Sequence, residues 1–230
     1  LPRAERAAHA PVQRARLPAA RPLTSTFPST TAAAIGAFGT GTAPGRTGML
    51  GYTQRNPVTR GLANMVSWEG APAPAELQRE EPVLARLAGA GVAVTSTGPA
   101  RFAGSGMTVA ALRGGTYASA EPLAGRVDAA VRALSRPGRV SLYWGEVDKA
   151  GHHHGSASWQ WGDELEALDR ELARLVRSVP RGPLVLVTAD HGMVDVDPAR
   201  GGGGAAPPPH APGARRRAGR GAPAGRPAAR

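Results

Sequence analysis

Apolar positions along this 230-residue chain fall into two patterns. Leu184–Val187 is a short apolar run between Gly182-Pro183 and Asp190-His191-Gly192, and Val140–Trp144 and Val92–Thr95 have the same character. Such runs suit buried parallel strands, although a short apolar run alone does not separate a strand from a buried helix. Elsewhere the spacing is helical. Leu165, Leu168, Leu172, Leu175, Val176 and Val179 predict a helix over 163–179. A second amphipathic helix is predicted over Ser119–Leu134, with Leu123, Val127, Val131 and Leu134 inward. A third spans Glu76–Ala88 and closes at Gly89, and a fourth, Ala32–Phe38, is capped by Thr30 or Thr31 and ends at Gly39. Trp68–Pro74 reads as a Pro-rich loop, and the Gly-rich stretch 98–117 as irregular. Strands alternating with helices make this an α/β chain, a mainly parallel sheet flanked by helices.

Composition narrows the chemistry. There is no cysteine, so disulfides and thiolate metal sites are excluded, and a metal would sit on histidine and carboxylate oxygen. No run approaches about 18 apolar residues, so no membrane span is expected. No charged start leads into an apolar signal core, which points to a cytoplasmic protein. The chain opens without an initiator Met, as a fragment or a processed product would.

The formal charge of +11 is concentrated at the ends. Residues 1–22 carry Arg3, Arg6, Arg14, Arg16 and Arg21 against Glu5, with one short helix expected around Arg3–Ala10. Residues 199–230 are almost wholly Gly, Ala, Pro and Arg, too poor in apolar side chains to build a core. That basic tail can attract nucleic acid or another polyanion by counterion release. A solvated tail shaped by GC-rich coding explains the same composition without a partner. The folded domain is expected between them, over 23–198.

The candidate chemistry follows the strand-like runs. Asp148 and His152 come directly after Val140–Trp144, and Asp190 and His191 directly after Leu184–Val187. Open α/β sheets build sites at the carboxyl ends of their strands. Taken singly, His152-His153-His154 could be a surface histidine cluster and Asp190-His191-Gly192 a strand-end turn. Together the two acid–histidine pairs suggest metal ligation. At the start of the first helix, a Thr hydroxyl lies where backbone N–H groups face outward and favour an anion, although an ordinary N-cap looks the same. Threonine is a poor nucleophile unless a base or metal assists it. Two zinc ions about 3.5–4 Å apart can do so while neutralising a transferring phosphoryl group.

These residues carry a resemblance. Asp148-Lys-Ala-Gly-His152-His-His-Gly155 is similar to the DxxGHxxG element of the alkaline phosphatase superfamily, and Asp190-His191-Gly192-Met193 to its DHGM element. The segment from Phe27 to Tyr52 resembles the nucleophile region of the type I phosphodiesterase/nucleotide pyrophosphatase branch in high-GC bacteria. The resemblance covers about Leu23–Val196. It implies an alkaline-phosphatase-like fold and a hydrolase of phosphodiester or nucleotide pyrophosphate bonds, acting on a small phosphate-ester or nucleotide substrate. Two zinc ions, or other divalent metals, and a phospho-threonine intermediate are implied with it. Counting nine residues back from Thr40-Gly41, as the superfamily pattern requires, gives Thr31 as nucleophile; Thr26, in Thr26-Phe27-Pro28, is the competitor. Asp148 and His152 would hold one zinc, Asp190 and His191 the other.

The departures from the pattern are specific. The family's first strand, ending in Val-Asp-Gly, has no counterpart here, and its later His-Gly is replaced by Thr47-Gly48. The late histidine ligand has only His210 to represent it, between Pro209 and Ala211. One ligand is thus missing from each expected zinc, so activity is expected to be impaired. A catalytically inactive family remnant acting as a binding protein is the alternative.

Overall fold

The computed structural model describes residues 23–180 and 182–195. Expectations for residues 1–22, for the tail 199–230 and for His210 lie outside the described residues.

The described chain opens with helix α1 (Thr31–Thr40), the one-turn helix α2 (Pro44–Thr47) and a short hairpin of β1 (Thr53–Arg55) and β2 (Leu62–Asn64). Helices α3 (Pro74–Leu77) and α4 (Val83–Gly89) lead into β3 (Val94–Gly98). A 3-10 turn (Ala100–Phe102), α5 (Gly106–Ala111), β4 (Thr116–Ser119), α6 (Leu123–Ala133) and β5 (Arg139–Leu142) follow. Helices α7 (Glu146–His154) and α8 (Trp159–Ser178) complete the regular elements. The main sheet has three parallel strands in the order β4-β3-β5, with Ser96 opposite both Tyr117 and Ser141. This is the α/β architecture with a parallel sheet flanked by helices that the alternating pattern implies.

Two apolar groups hold it together. Ala32 of α1 and Ala110 and Ala111 of α5 pack with Met49, Ala63 and Met65, all fully or almost fully buried. On the sheet side, α6 buries Leu123, Val127 and Ala130 against β3 and β5, and α8 crosses both α6 and α7. The small side chains of the first group bring α1 and α5 into backbone contact. A Cβ built on Gly39 would stand 2.0 Å from the carbonyl oxygen of Ala111. Backbone cannot swing aside as a flexible side chain can, so Gly39→Ala is expected to destabilise the fold by about 3 kcal/mol in urea unfolding.

Several boundaries differ from the sequence expectation, each for a local reason. The single helix over Glu76–Ala88 is two helices. Pro82 takes extended geometry as the N-cap of α4, since its ring forbids helix continuation through it. Pro122 likewise delays α6 to Leu123. α1 begins at Thr31 and runs through Gly39 to a left-handed Gly41, whose N–H bonds to the Ala37 carbonyl. The stretch read as irregular contains α5, capped by the Ser105 side chain, and the first two residues of strand β4.

The largest difference concerns Leu184–Val187. These residues form no strand; Leu184 and Leu186 are 82% and 80% exposed. A strand exists only with a neighbour to complete its ladder. β5 pairs with β3 on one side and with nothing among the described residues on the other. The expected strand–helix–strand unit therefore stops at α8, and residues 182–195 run on as a strap without regular structure.

Candidate functional site

α1 and α7 supply the fixed parts of the site, and the strap closes it. Thr31 is the first residue of α1. Its hydroxyl oxygen Oγ1 lies 3.1 Å from Nε2 of His191, a contact spanning 160 positions of sequence. The other ring nitrogen of His191, Nδ1, faces the carbonyl oxygen of Gly192 at 2.8 Å. A carbonyl only accepts, so Nδ1 carries the proton in the neutral ring. Nε2 is then left with its lone pair toward Thr31, whose hydroxyl donates to it. Thr26 is placed differently: its hydroxyl donates to the Pro28 carbonyl at 3.1 Å. Thr30 takes the N-cap position in extended geometry, but its hydroxyl caps nothing and is buried without a hydrogen-bond partner.

Asp148 and His152 stand four residues apart on α7, one helical turn, so their side chains share a face. Asp148 Oδ1 lies 3.4 Å from Nε2 of His152 and 3.8 Å from Nε2 of His191. Asp190 Oδ2 is 3.6 Å from the same His191 nitrogen. The Asp190 backbone is tied back toward the start of the domain, where Ser25 Oγ donates to its carbonyl at 3.4 Å. Thr31, Asp148, His152, Asp190 and His191 are therefore neighbours in space.

Zinc bonds of about 2.0–2.1 Å to N and O place adjacent donors roughly 3.3 Å apart. The pairwise spacings are near that value, and the donor types, imidazole and carboxylate, suit zinc. The number does not fit. Among the described residues no group of three or more His, Asp, Glu or Cys converges on one point. A catalytic zinc ordinarily takes three protein ligands and keeps a fourth position open. Thr47, at the family's His-Gly position, adds no donor. It is fully buried, its hydroxyl donates to the Pro44 carbonyl, and it accepts from the Met49 amide.

Two features around this cluster were not legible beforehand. Partial burial, and then the charges of Asp190, Asp148 and Glu146, push the Tyr143 phenol up to about 12, so it is a neutral hydroxyl across the physiological range. Arg126 is the other. This α6 side chain is 1% exposed. It donates to the carbonyls of Ala120, Glu121 and Tyr143, and its guanidinium lies 4.7 Å from the centre of the Trp144 ring. Glu146 Oε2 is 3.6 Å from its Nη1. The carboxyl end of β5 and the first turn of α7, two residues before Asp148, are thereby fixed by one buried cation. A mid-helix arginine gives no sequence signal of such a role.

The strap meets α7 through its end. Asp195 Oδ1 accepts from the Ser156 amide at 2.7 Å, which lowers the Asp195 carboxyl below its ordinary value.

Comparison with known proteins agrees with this architecture. A stretch of 67 residues is 36% identical to human ectonucleotide pyrophosphatase/phosphodiesterase family member 7, and covers 27% of this chain and 15% of that protein. The mouse protein of the same name matches over 63 residues at 36% identity, 25% of this chain and 14% of its own. The fold is shared with murine ectonucleotide pyrophosphatase/phosphodiesterase 5 at a TM-score of 0.56 and 17% identity, over 67% of this chain and 42% of that one. An inactive threonine-to-alanine variant of that murine protein, in complex with AMP, matches at 0.56 and 16% identity, over 68% of this chain and 42% of that one. The chain thus spans under half the length of each of these relatives. Residues 18–203 match the model of the type I phosphodiesterase / nucleotide pyrophosphatase family, and the chain belongs to that family, as its Asp148–Gly155 and Asp190–Met193 elements imply.

Proposed function

We propose that the chain carries the core of a phosphodiesterase or nucleotide pyrophosphatase site in which Thr31 is the nucleophile. The observation that carries this reading is the 3.1 Å contact between the Thr31 hydroxyl oxygen and Nε2 of His191 at the N-terminus of α1. Backbone N–H groups of the first turn of a helix favour a phosphoryl oxygen, so substrate phosphate and nucleophile share one location. Thr31 Oγ1 forms the bond to phosphorus, and the bond from phosphorus to the leaving alcohol or nucleotide oxygen breaks. Water then cleaves the phospho-threonine and returns the Thr31 hydroxyl. The hydrogen lost from the Thr31 hydroxyl in the first step is matched by the one the leaving oxygen gains, and the water of the second step returns a hydrogen to Thr31 Oγ1. The AMP complex of the murine relative supports a nucleotide as one substrate class.

Asp148 with His152, and Asp190 with His191, are the residues we assign to two divalent ions, zinc by donor type. Such ions supply charge neutralisation at the phosphoryl group and favour the alkoxide form of a hydroxyl. With two protein donors for each ion, affinity falls below that of a three-ligand site. Zinc titration calorimetry on the full chain should show binding that is lost in Asp190→Ala; absence of heat with the unsubstituted chain would remove the metal assignment. The activity itself is tested by hydrolysis of a chromogenic phosphodiester, a nucleotide pyrophosphate and a phosphomonoester, with zinc added and after chelation. Zinc-dependent turnover of the first two over the third supports the proposal. No turnover of any, from folded protein, would contradict it.

A further inference from the structure

The strap bearing Asp190 and His191 has little to hold it. Leu184, Leu186 and Val187 face outward, and Val194 is 81% exposed. One attachment lies just past the histidine. Gly151 is a buried residue inside the nine-residue helix α7, where glycine is the poorest non-proline choice. A Cβ built there would stand 2.2 Å from Sδ and 2.8 Å from Cε of Met193, and 3.3 Å from Cδ1 of Trp161. The thioether of Met193 therefore occupies the space that any larger residue at 151 would fill. One turn on, a Cβ at Gly155 would stand 3.4 Å from Oδ1 of Asp195, the carboxylate oxygen that accepts the Ser156 amide.

We propose that Gly151 and Met193 are positioning residues, a steric latch that sets the Asp190-His191 pair in register with the Asp148-His152 pair. Each member lies in one of the two elements that carry those pairs. Gly151 immediately precedes His152, and Met193 follows His191 by two residues. Undocking Met193 moves His191 relative to both Thr31 and Asp148 without touching α1, α6 or the sheet. Only the turnover arm of the test rests on the phosphodiesterase reading; the exchange arm does not.

Gly151→Ala separates this role from a merely structural one. Alanine suits the interior of α7 better than glycine, and the clashing atoms are the far end of a flexible side chain, so the fold is retained. The melting temperature of Gly151→Ala is expected to equal or exceed that of the unsubstituted chain. Amide exchange at Ser156 and across 190–195 is expected to rise about tenfold, because those amides then open without global unfolding. Turnover of a chromogenic phosphodiester should fall about 100-fold in kcat, the scale set by a misplacement of an ångström or so. Met193→Ala should raise the same exchange, and the double variant should be no worse than Met193→Ala alone, since a latch lost once cannot be lost again. Unchanged exchange in both single variants would overturn the latch, as would a cooperative loss of stability with exchange rising everywhere. Should the unsubstituted chain turn over no phosphodiester while exchange responds as described, the latch stands and the proposed activity fails.

Discussion

Thr31→Ala is expected to abolish phosphodiester turnover, by roughly 1,000-fold or more, while leaving the unfolding curve nearly unchanged. The size follows from the role. A nucleophile that bonds to phosphorus has no substitute within reach, because the Thr30 hydroxyl is buried and Thr26 donates to the Pro28 carbonyl. The small effect on stability has its own cause. Position 31 is the first helical residue of α1, alanine is the best helix former, and the lost contact is one half-buried hydrogen bond to His191. That bond contributes about 1 kcal/mol. Thr26→Ala should retain turnover within a few-fold. Steady-state kinetics on the two variants decides between them: loss in Thr26→Ala with retention in Thr31→Ala would reverse the assignment.

The second large effect is on folding. Arg126→Met removes a buried guanidinium and leaves the carbonyls of Ala120, Glu121 and Tyr143, and the carboxylate of Glu146, without that donor. A buried acceptor left unsatisfied costs about 1–3 kcal/mol, and breaking a buried charged pair by removing one partner about 3–5 kcal/mol. These terms overlap at one site, and Glu146 is partly exposed, so we expect a loss of about 4 kcal/mol in denaturant unfolding. Against a typical stability of about 5–15 kcal/mol that is a large fraction. Arg126→Lys, a point charge without the planar fork, should recover only part of it. A loss under about 1 kcal/mol in Arg126→Met would show that water replaces the guanidinium without penalty.

What the sequence made legible depended on how local each cause was. α8 was readable because its leucines repeat at helical spacing, and the structure extends it back only to a Ser158 cap. α1 was readable from the Ser/Thr cluster ahead of its alanines. Pro82 was equally visible, but the apolar spacing around it suggested one helix where proline geometry makes two. The β1–β2 hairpin escaped because strands of three residues are too short to show alternation. Leu184–Val187 failed for a deeper reason. Its apolar run is what a buried strand requires, but strand formation is decided by a neighbour, and no neighbour is encoded in the run itself. The site divides in the same way. Asp148 with His152 was legible as an acid–histidine pair after a strand-like run, whereas the helix α7 that sets them one turn apart was not expected. The approach of Thr31 to His191 across 160 positions was implied only by family resemblance, and Arg126 and the Gly151–Met193 contact depend on tertiary packing alone.

The exposed Leu184-Val185-Leu186-Val187 run has a consequence for handling the protein. Leu184, Leu186 and Val187 are exposed apolar side chains in a run without a charge, and such a run favours association between molecules. The edge of β5 that no other described residue pairs presents a row of amides and carbonyls. Pro183 and Asp190 flank the run as gatekeepers, too far apart to interrupt it. Leu186→Lys, which places a charge in this run, is expected to raise the concentration at which the protein stays in solution.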